Sequence, residues 1–258
     1  LVRKCELFET LSSMGERDVA LRRALLPCTT FSSYNREDMK RVVRSWIESN
    51  KKDLSWILKC SVSNNSTGVF LLEGDPSTTE RVLDDIWGAS ESDKSSPQKS
   101  RWLLQRYLDR PLLLRGRKFH FRANVLGVGN FALYFHEDVV AHVASQSYRS
   151  LKLGVESLIH VTNHCVQRSS PTFDSRQQTL TMDGVERVLA EDVGPEAAAA
   201  LCCDMMQQMK DIARRIFLAF ETRKKLFLPM PNSFELFGID FLAGHDGRIY
   251  VCEVNSGP

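Results

Sequence analysis

The chain has 258 residues, with 34 Lys and Arg against 32 Asp and Glu, a net charge of +2, 43% hydrophobic residues and 26% charged ones. This is ordinary globular composition with room for a sizeable core, which excludes a collagen, a largely disordered chain and a coiled-coil rod. The charge balance is too even for an obligate nucleic-acid binder, and no run of about 18 apolar residues marks a membrane span, so neither partner is expected.

Two helical patterns, Cys5 to Leu11 and Val19 to Leu26, open the chain and stop at Pro27. Asn35, with Glu37 and Asp38 behind it, starts a helix whose apolar positions Met39, Val42, Val43, Trp46 and Ile47 share one face. Leu54 to Lys59 and Val69 to Leu72 read as strands around the polar, turn-like run 61–68, a candidate phosphate loop. Ala89 to Ser100 is polar and Ser-rich, and Trp102 to Leu108 resumes a strand. Phe119 to Val128 and Phe131 to Phe135 form strands joined at Gly129-Asn130, with Val139 to Ala144 as a third. Ser169 to Gln178 reads as a loop, and Pro195 starts a long amphipathic helix that runs towards Lys225. Phe234 to Leu242 and Arg248 to Val254 are strands around Gly244-His245-Asp246-Gly247. Strands largely in hairpins, mixed with helices, predict an α+β fold.

Seven cysteines, none in a C-x-x-C pair, predict free thiols in a reducing compartment. The chain lacks an initiator Met and a signal-peptide core, and it stops just after an apolar strand at Asn255-Ser256-Gly257-Pro258. It reads as a fragment with both ends missing.

The last hairpin carries the most chemistry. An Asp246-Gly247 turn would set Asp240 opposite Glu253; a His245-Asp246 turn would set it opposite Val251. Either register puts Asp240, Glu253 and Asn255 on one face. Facing carboxylates repel unless they are neutralised, and Mg²⁺ suits two carboxylates plus phosphate oxygens. The same spacing also fits a solvated polar face. In Lys118-Phe119-His120-Phe121-Arg122, alternation puts three cation-capable groups on one face, which reads either as an anion site or as a solvated strand edge. Lys59, ending a strand before the polar loop, can reach a phosphate or remain a surface lysine. Gly127-Val128-Gly129-Asn130-Phe131-Ala132 fits G-x-G-x-x-A, but strand-like Leu133-Tyr134-Phe135 follows where a dinucleotide fingerprint needs a helix, so these glycines mark a hairpin turn. His136, His142, His160 and His164 form no zinc pattern, and no G-x-S-x-G occurs.

Read in order, the motifs are Trp56-Ile57-Leu58-Lys59, Leu104-Gln105-Arg106-Tyr107-Leu108 with Arg110-Pro111-Leu112-Leu113-Leu114, Arg117 to Arg122, His160-Val161-Thr162-Asn163-His164-Cys165-Val166-Gln167, Phe234 to Phe241, and Glu253-Val254-Asn255. This series resembles the tubulin tyrosine ligase family from Leu54 to the end, more faintly over the opening segment. The resemblance implies an ATP-grasp fold, with residues 1–100 as a central lobe, 101–258 as a C-terminal lobe, and the family's smaller N-terminal lobe missing. It implies that Lys59 and Lys118 hold the ATP phosphates and that Gln105, Arg106, Tyr107 and Leu108 form the hinge beside adenine. Thr162 and Asn163 would lie at the ribose–phosphate side, and Asp240, Glu253 and Asn255 would hold Mg²⁺. Arg122 would face the reacting carboxylate or γ-phosphate and act with Lys118 in catalysis. The implied chemistry is carboxylate–amine ligation through an acyl phosphate. Its substrates would be the C-terminal glutamate of the α-tubulin tail and a free amino acid, tyrosine first, in the cytoplasm on the cytoskeleton. Glutamate or glycine ligation and a catalytically weak ATP- or tubulin-binding module are the alternatives. Three departures stand out: the 61–68 loop is poor in glycine, His120 replaces an Asp, and His142 replaces an Arg. The resemblance implies that both histidines, with Arg122, fall at positions of substrate binding.

Overall fold

The computed structural model describes residues 3–33, 35–50, 55–61, 68–73, 76–91, 101–149, 157–221, 223 and 230–257. Four strands, β1 (Cys28–Ser32), β2 (Ser55–Cys60), β3 (Val69–Glu73) and β4 (Arg101–Arg106), form an antiparallel sheet in the order β1-β4-β2-β3. Helices α3 (Arg36–Ser49) and α4 (Pro76–Glu91) pack with it around a core that includes Met39, Val43, Trp56, Leu58, Leu83 and Leu104. The Asn35 side chain caps α3 by accepting from the Asp38 N–H at 2.9 Å, and acidic Glu37 and Asp38 fill the first turn, where the helix dipole favours them.

The second sheet runs β11-β10-β6-β8-β9, and β5 and β7 also pair with β6. Its strands are β5 (Leu113–Leu114), β6 (Arg117–Val128), β7 (Ala132–Phe135), β8 (Val140–Val143), β9 (Thr179–Thr181), β10 (Phe234–Ala243) and β11 (Ile249–Ser256). Alternation on β6 buries Phe119, Phe121, Ala123 and Val125 in the larger core and turns Lys118, His120 and Arg122 to the other face. The core side is closed by α1 (Lys4–Gly15), α2 (Val19–Arg23), α8 (Met182–Val193) and α9 (Pro195–Glu221). Phe217 of α9 meets Phe237 of β10 edge-on at 5.1 Å between centroids. Each such buried ring is worth about 1.5–3 kcal/mol. Thr181 caps α8, Gly194 ends it at φ 85°, and Pro195 starts α9, where its missing N–H costs nothing. Short helices α5 (Ser157–His160) and α6 (His164–Gln167) contribute side chains to the polar face, and α7 (Ser175–Gln178) leads into β9.

The α+β expectation holds, with antiparallel pairing throughout both sheets. Several element assignments change. β1, α4 and α8 were not predicted; β1 is a half-buried strand without apolar alternation. The segment after Ser169 contains α7 rather than loop alone, and the strand from Trp102 stops at Arg106, with Tyr107 still donating its N–H to Ser55. The long helix ends at Glu221. β4, which the division at residue 100 assigns to the second lobe, pairs with β1 and β2 in the first sheet. Leu54, most of the 61–68 loop and residues 92–100 lie outside the described residues. The Gly129 turn is a hairpin, β6 pairing with β7, as the strand-like sequence after it required.

Candidate functional site

The polar face of β6 and β10 looks across a cleft of about 620 Å³ towards the end of β2 and the β4 hinge. Of the residues singled out in the sequence, Lys59, Gln105, Arg106, Tyr107, Leu108, Lys118, His120, Arg122, Thr162, Asn163, Asp240, Glu253 and Asn255 all line it. His142 does not; it stands behind His120, its partner across the β6–β8 ladder.

Two buried cations mark one end. Lys59 is 6% exposed and Lys118 3% exposed. The Lys59 ammonium donates to Gln105 Oε1 at 3.0 Å, and that of Lys118 to the Tyr107 hydroxyl at 2.8 Å. Burial, partly offset by Cys252 and reinforced by neighbouring Lys59, pulls the Lys118 ammonium down to about 7. Among the described residues both ammonium groups are held by uncharged partners. Buried charges without a counter-ion are costly, and a polyphosphate would relieve them. Gln105 Nε2, also buried, has no hydrogen-bond partner among the described residues and fits an acceptor atom of a bound base. Ile57, Val69, Leu26 and Leu242 supply apolar walls.

The oxygen-bearing residues mark the other end. Asp240 pairs with Glu253, as one of the two predicted registers required, but the turn is neither of those predicted. A three-residue loop, His245 to Gly247, closes on Gly244 and Arg248, and Gly247 takes φ 76°. Phe241 then faces Val251, so Cys252 is an extra residue that breaks the register. The bulge resolves a conflict in the sequence: Val251 and Val254 are both buried in the core although three positions apart, and Glu253 and Asn255 still reach the cleft. Cys252 also lines the cleft, 4.0 Å from the Lys59 ammonium.

The repulsion expected between the two carboxylates is met from within the protein. Arg122 grips Asp240 with two hydrogen bonds, Nη2 to Oδ2 at 2.9 Å and Nε to Oδ1. Lys4 Nζ stands 3.9 Å from Glu253 Oε2, and Asn255 Nδ2 donates to Glu253 Oε1 at 3.1 Å. Lys4 was missed in the sequence, where its only signal was a basic pair at the start of a helix; Ser61 Oγ fixes that helix start by accepting from the Cys5 N–H. Among the described residues no group of three or more His, Cys, Asp and Glu is placed to hold a metal. Two carboxylates and an amide oxygen nonetheless fit Mg²⁺, which keeps waters and phosphate oxygens in its remaining positions.

Histidines fill the corner behind Arg122. His120 Nδ1 meets Thr162 Oγ1 at 2.5 Å, and His142 Nδ1 meets His164 Nε2 at 3.0 Å. Burial and then the Arg122 guanidinium push His120 down to about 3; burial, His120 and His164 do the same for His142. Both are therefore neutral, and the corner is a hydrogen-bonding wall where the departures from Asp and Arg had left its charge open. The β6–β8 pairing makes His120 and His142 partners, in keeping with the joint replacement of an Asp–Arg pair that two neighbouring strands suggest, and α6 adds His164.

A cleft between two antiparallel sheets, with buried lysines at one end and hard oxygen donors at the other, has the shape of an ATP-grasp site. The solved C-terminal domain of K. lactis Pby1, described as an ATP-grasp enzyme interacting with the mRNA decapping enzyme Dcp2, superimposes with a TM-score of 0.63 at 24% identity. That match covers 100% of this chain and 66% of the other, and the fold is ATP-grasp. The model of the tubulin-tyrosine ligase family matches residues 13–258, so the chain belongs to that family. Similar relatives include "Probable tubulin--tyrosine ligase PBY1" of Saccharomyces cerevisiae, 26% identical over 84% of this chain and 31% of the relative. Another is "Probable tubulin polyglutamylase TTLL9" of Bos taurus, 25% identical over 80% of this chain and 48% of the relative. The chain thus spans 31% and 48% of the lengths of these two relatives.

Proposed function

We propose that this chain is the catalytic part of an ATP-dependent carboxylate–amine ligase. The observation that carries this reading is that Lys59, Lys118, Asp240, Glu253 and Asn255 all line one cleft. The lysines would hold the phosphates, Gln105 and the strand end at Leu108 the base, and Thr162 and Asn163 the ribose side. Asp240, Glu253 and Asn255 would hold Mg²⁺, which when bound would offset the charge on the transferring phosphoryl group.

A carboxylate oxygen attacks the γ-phosphorus and ADP leaves, giving an acyl phosphate. The amine nitrogen then attacks the acyl carbon, inorganic phosphate leaves, and the amine gives up a proton. Arg122, held at Asp240, would balance charge on the reacting oxygens, and Lys4 and Lys118 would add to the positive field. The resemblance and the family name favour the C-terminal glutamate of α-tubulin as acceptor and tyrosine as the amine, in the cytoplasm on microtubules. The polyglutamylase among the relatives makes glutamate the second candidate amine.

Incorporation of labelled tyrosine, glutamate or glycine into tubulin by the full-length protein tests this. Tyrosine incorporation that needs ATP and Mg²⁺ is expected. Asp240→Asn and Glu253→Gln should each abolish the thermal stabilisation given by Mg-ATP while leaving the fold intact. An unchanged shift in both variants would remove the metal assignment, and ATP binding without incorporation of any amino acid would leave a binding module.

A further inference from the structure

Tyr107 joins the hinge through its backbone, whose N–H donates to Ser55 O at 3.0 Å. Its side chain has contacts of a different kind. The residue is 3% exposed, and its hydroxyl accepts from the Lys118 ammonium at 2.8 Å. The same ammonium stands 4.3 Å from the centroid of the Tyr107 ring, so one side chain meets this cation with both a lone pair and a π face. A phenylalanine would fill the same space, and burying a hydroxyl is costly unless its hydrogen bonds are needed.

The groups behind the hydroxyl fix which way it works. An ammonium only donates, so the Tyr107 oxygen must offer Lys118 a lone pair and send its own proton elsewhere. His160 Nδ1 lies 2.9 Å away on α5, and burial with the Lys118 charge holds that imidazole down to about 4, neutral and able to accept. Tyr148 stands beside the same hydroxyl, and because its own proton goes to Asp109 O at 2.8 Å, it too can only accept. The His160 ring is set edge-on to both tyrosine rings, at 5.7 Å from each. The Tyr107 proton is thus drawn back and its lone pair is left for Lys118. One N–H of the ammonium is engaged there, and the others remain for a ligand in the cleft that Lys118 lines.

Resting on the reading of Lys118 as a phosphate-holding group, we infer that Tyr107 is a positioning residue for the nucleotide phosphates: its hydroxyl, turned by His160 and Tyr148, keeps the Lys118 ammonium charged and fixed at the cleft. The hinge then serves both ends of the nucleotide, the base through its backbone and the phosphates through this side chain. A flexible lysine stem held at its tip before binding also loses less freedom when the phosphates arrive.

The test is a mutant cycle of Tyr107→Phe and Lys118→Met in the full-length protein, reading the ratio of ATP to adenosine affinity by calorimetry at pH 6 and pH 8. Adenosine reports the hinge alone, and Phe and Met keep the volumes they replace. Lys118→Met should lower the ratio at least about tenfold. Tyr107→Phe should lower it about tenfold at pH 8 and less at pH 6, where the ammonium keeps its proton without help, and should have no further effect in the Lys118→Met protein. Lys59, Cys252, Asp109 and His160 also face Lys118, and they and the γ-phosphate are common to all four proteins, so the comparison between variants isolates Tyr107. An unchanged ratio in Tyr107→Phe, equal defects at both pH values, or a defect that persists in full without Lys118 would each overturn the inference. The two proposals separate: a Lys118 effect without a Tyr107 effect removes only the positioning role, whereas an unchanged ratio in Lys118→Met takes Lys118 off the phosphates and overturns both.

Discussion

Lys118 shows how burial, with a neighbouring lysine, can set the working range of a binding group. Its ammonium, drawn down to about 7, is charged at pH 6 and largely neutral at pH 8. A phosphate needs the charged form, so nucleotide affinity should fall as pH rises through 7, by up to about tenfold per unit from this group. Calorimetry at pH 8 in two buffers of different ionisation enthalpy should show proton uptake on binding, and Lys118→Met should remove it; equal apparent enthalpies in the unaltered protein would contradict this. Lys118 and Asp240 were legible in the sequence because each has strand alternation around it. Lys4 was not, because a helix start reports nothing about a strand that follows it by most of the chain, and only folding brings Lys4 to Glu253.

At the level of elements, the last hairpin was half legible. The pairing of Asp240 with Glu253 followed from parity, but the loop length and the Cys252 bulge did not, because two departures of one residue cancel and leave no trace in the face pattern. Gly247 is the residue that the observed loop demands. Its φ of 76° lies in the left-handed region, and an added Cβ would stand 2.5 Å from Leu201 Cδ1 on α9. Leu201 can swing aside, so backbone strain sets the cost. Gly247→Ala should lower stability by about 1–2 kcal/mol in urea denaturation, and an unchanged midpoint would show that the loop is not the one described. Helices α4 and α8 were missed for a different reason. Their apolar positions do recur at helical spacing, Leu83 and Ile86 in one core and Val185, Val188 and Leu189 in the other, so the pattern was present in the sequence and was passed over beside stronger neighbours.

Across the whole molecule, the fold class was readable because the strand hairpins β6–β7 and β10–β11, mixed with helices, show in the sequence, whereas the partition of strands between the sheets was not. β4 is a central strand of the first sheet, and its neighbours β1 and β2 lie far before it in sequence. The polar corner contributes to the acid response of the fold. His120 and His142 are held neutral, near 3, whereas an unfolded chain takes up these protons near about 6.5. The stabilisation they allow is complete above about pH 6.5 and is lost as pH falls towards 3, with each costing up to about 1.4 kcal/mol per pH unit within that window. The urea midpoint should therefore drop between pH 6.5 and 5, and His142→Gln should make that drop shallower; a midpoint indifferent to acid would mean that the corner is hydrated and its histidines are charged.

The Lys4–Glu253 contact also orders events at birth. Helix α1 leaves the ribosome early and strand β11 late, so the wall of the cleft where they meet can close only after nearly all of the intervening chain has been made. A nascent chain halted before β11 would lack both acidic side chain and bulge, and would gain no protection from added nucleotide.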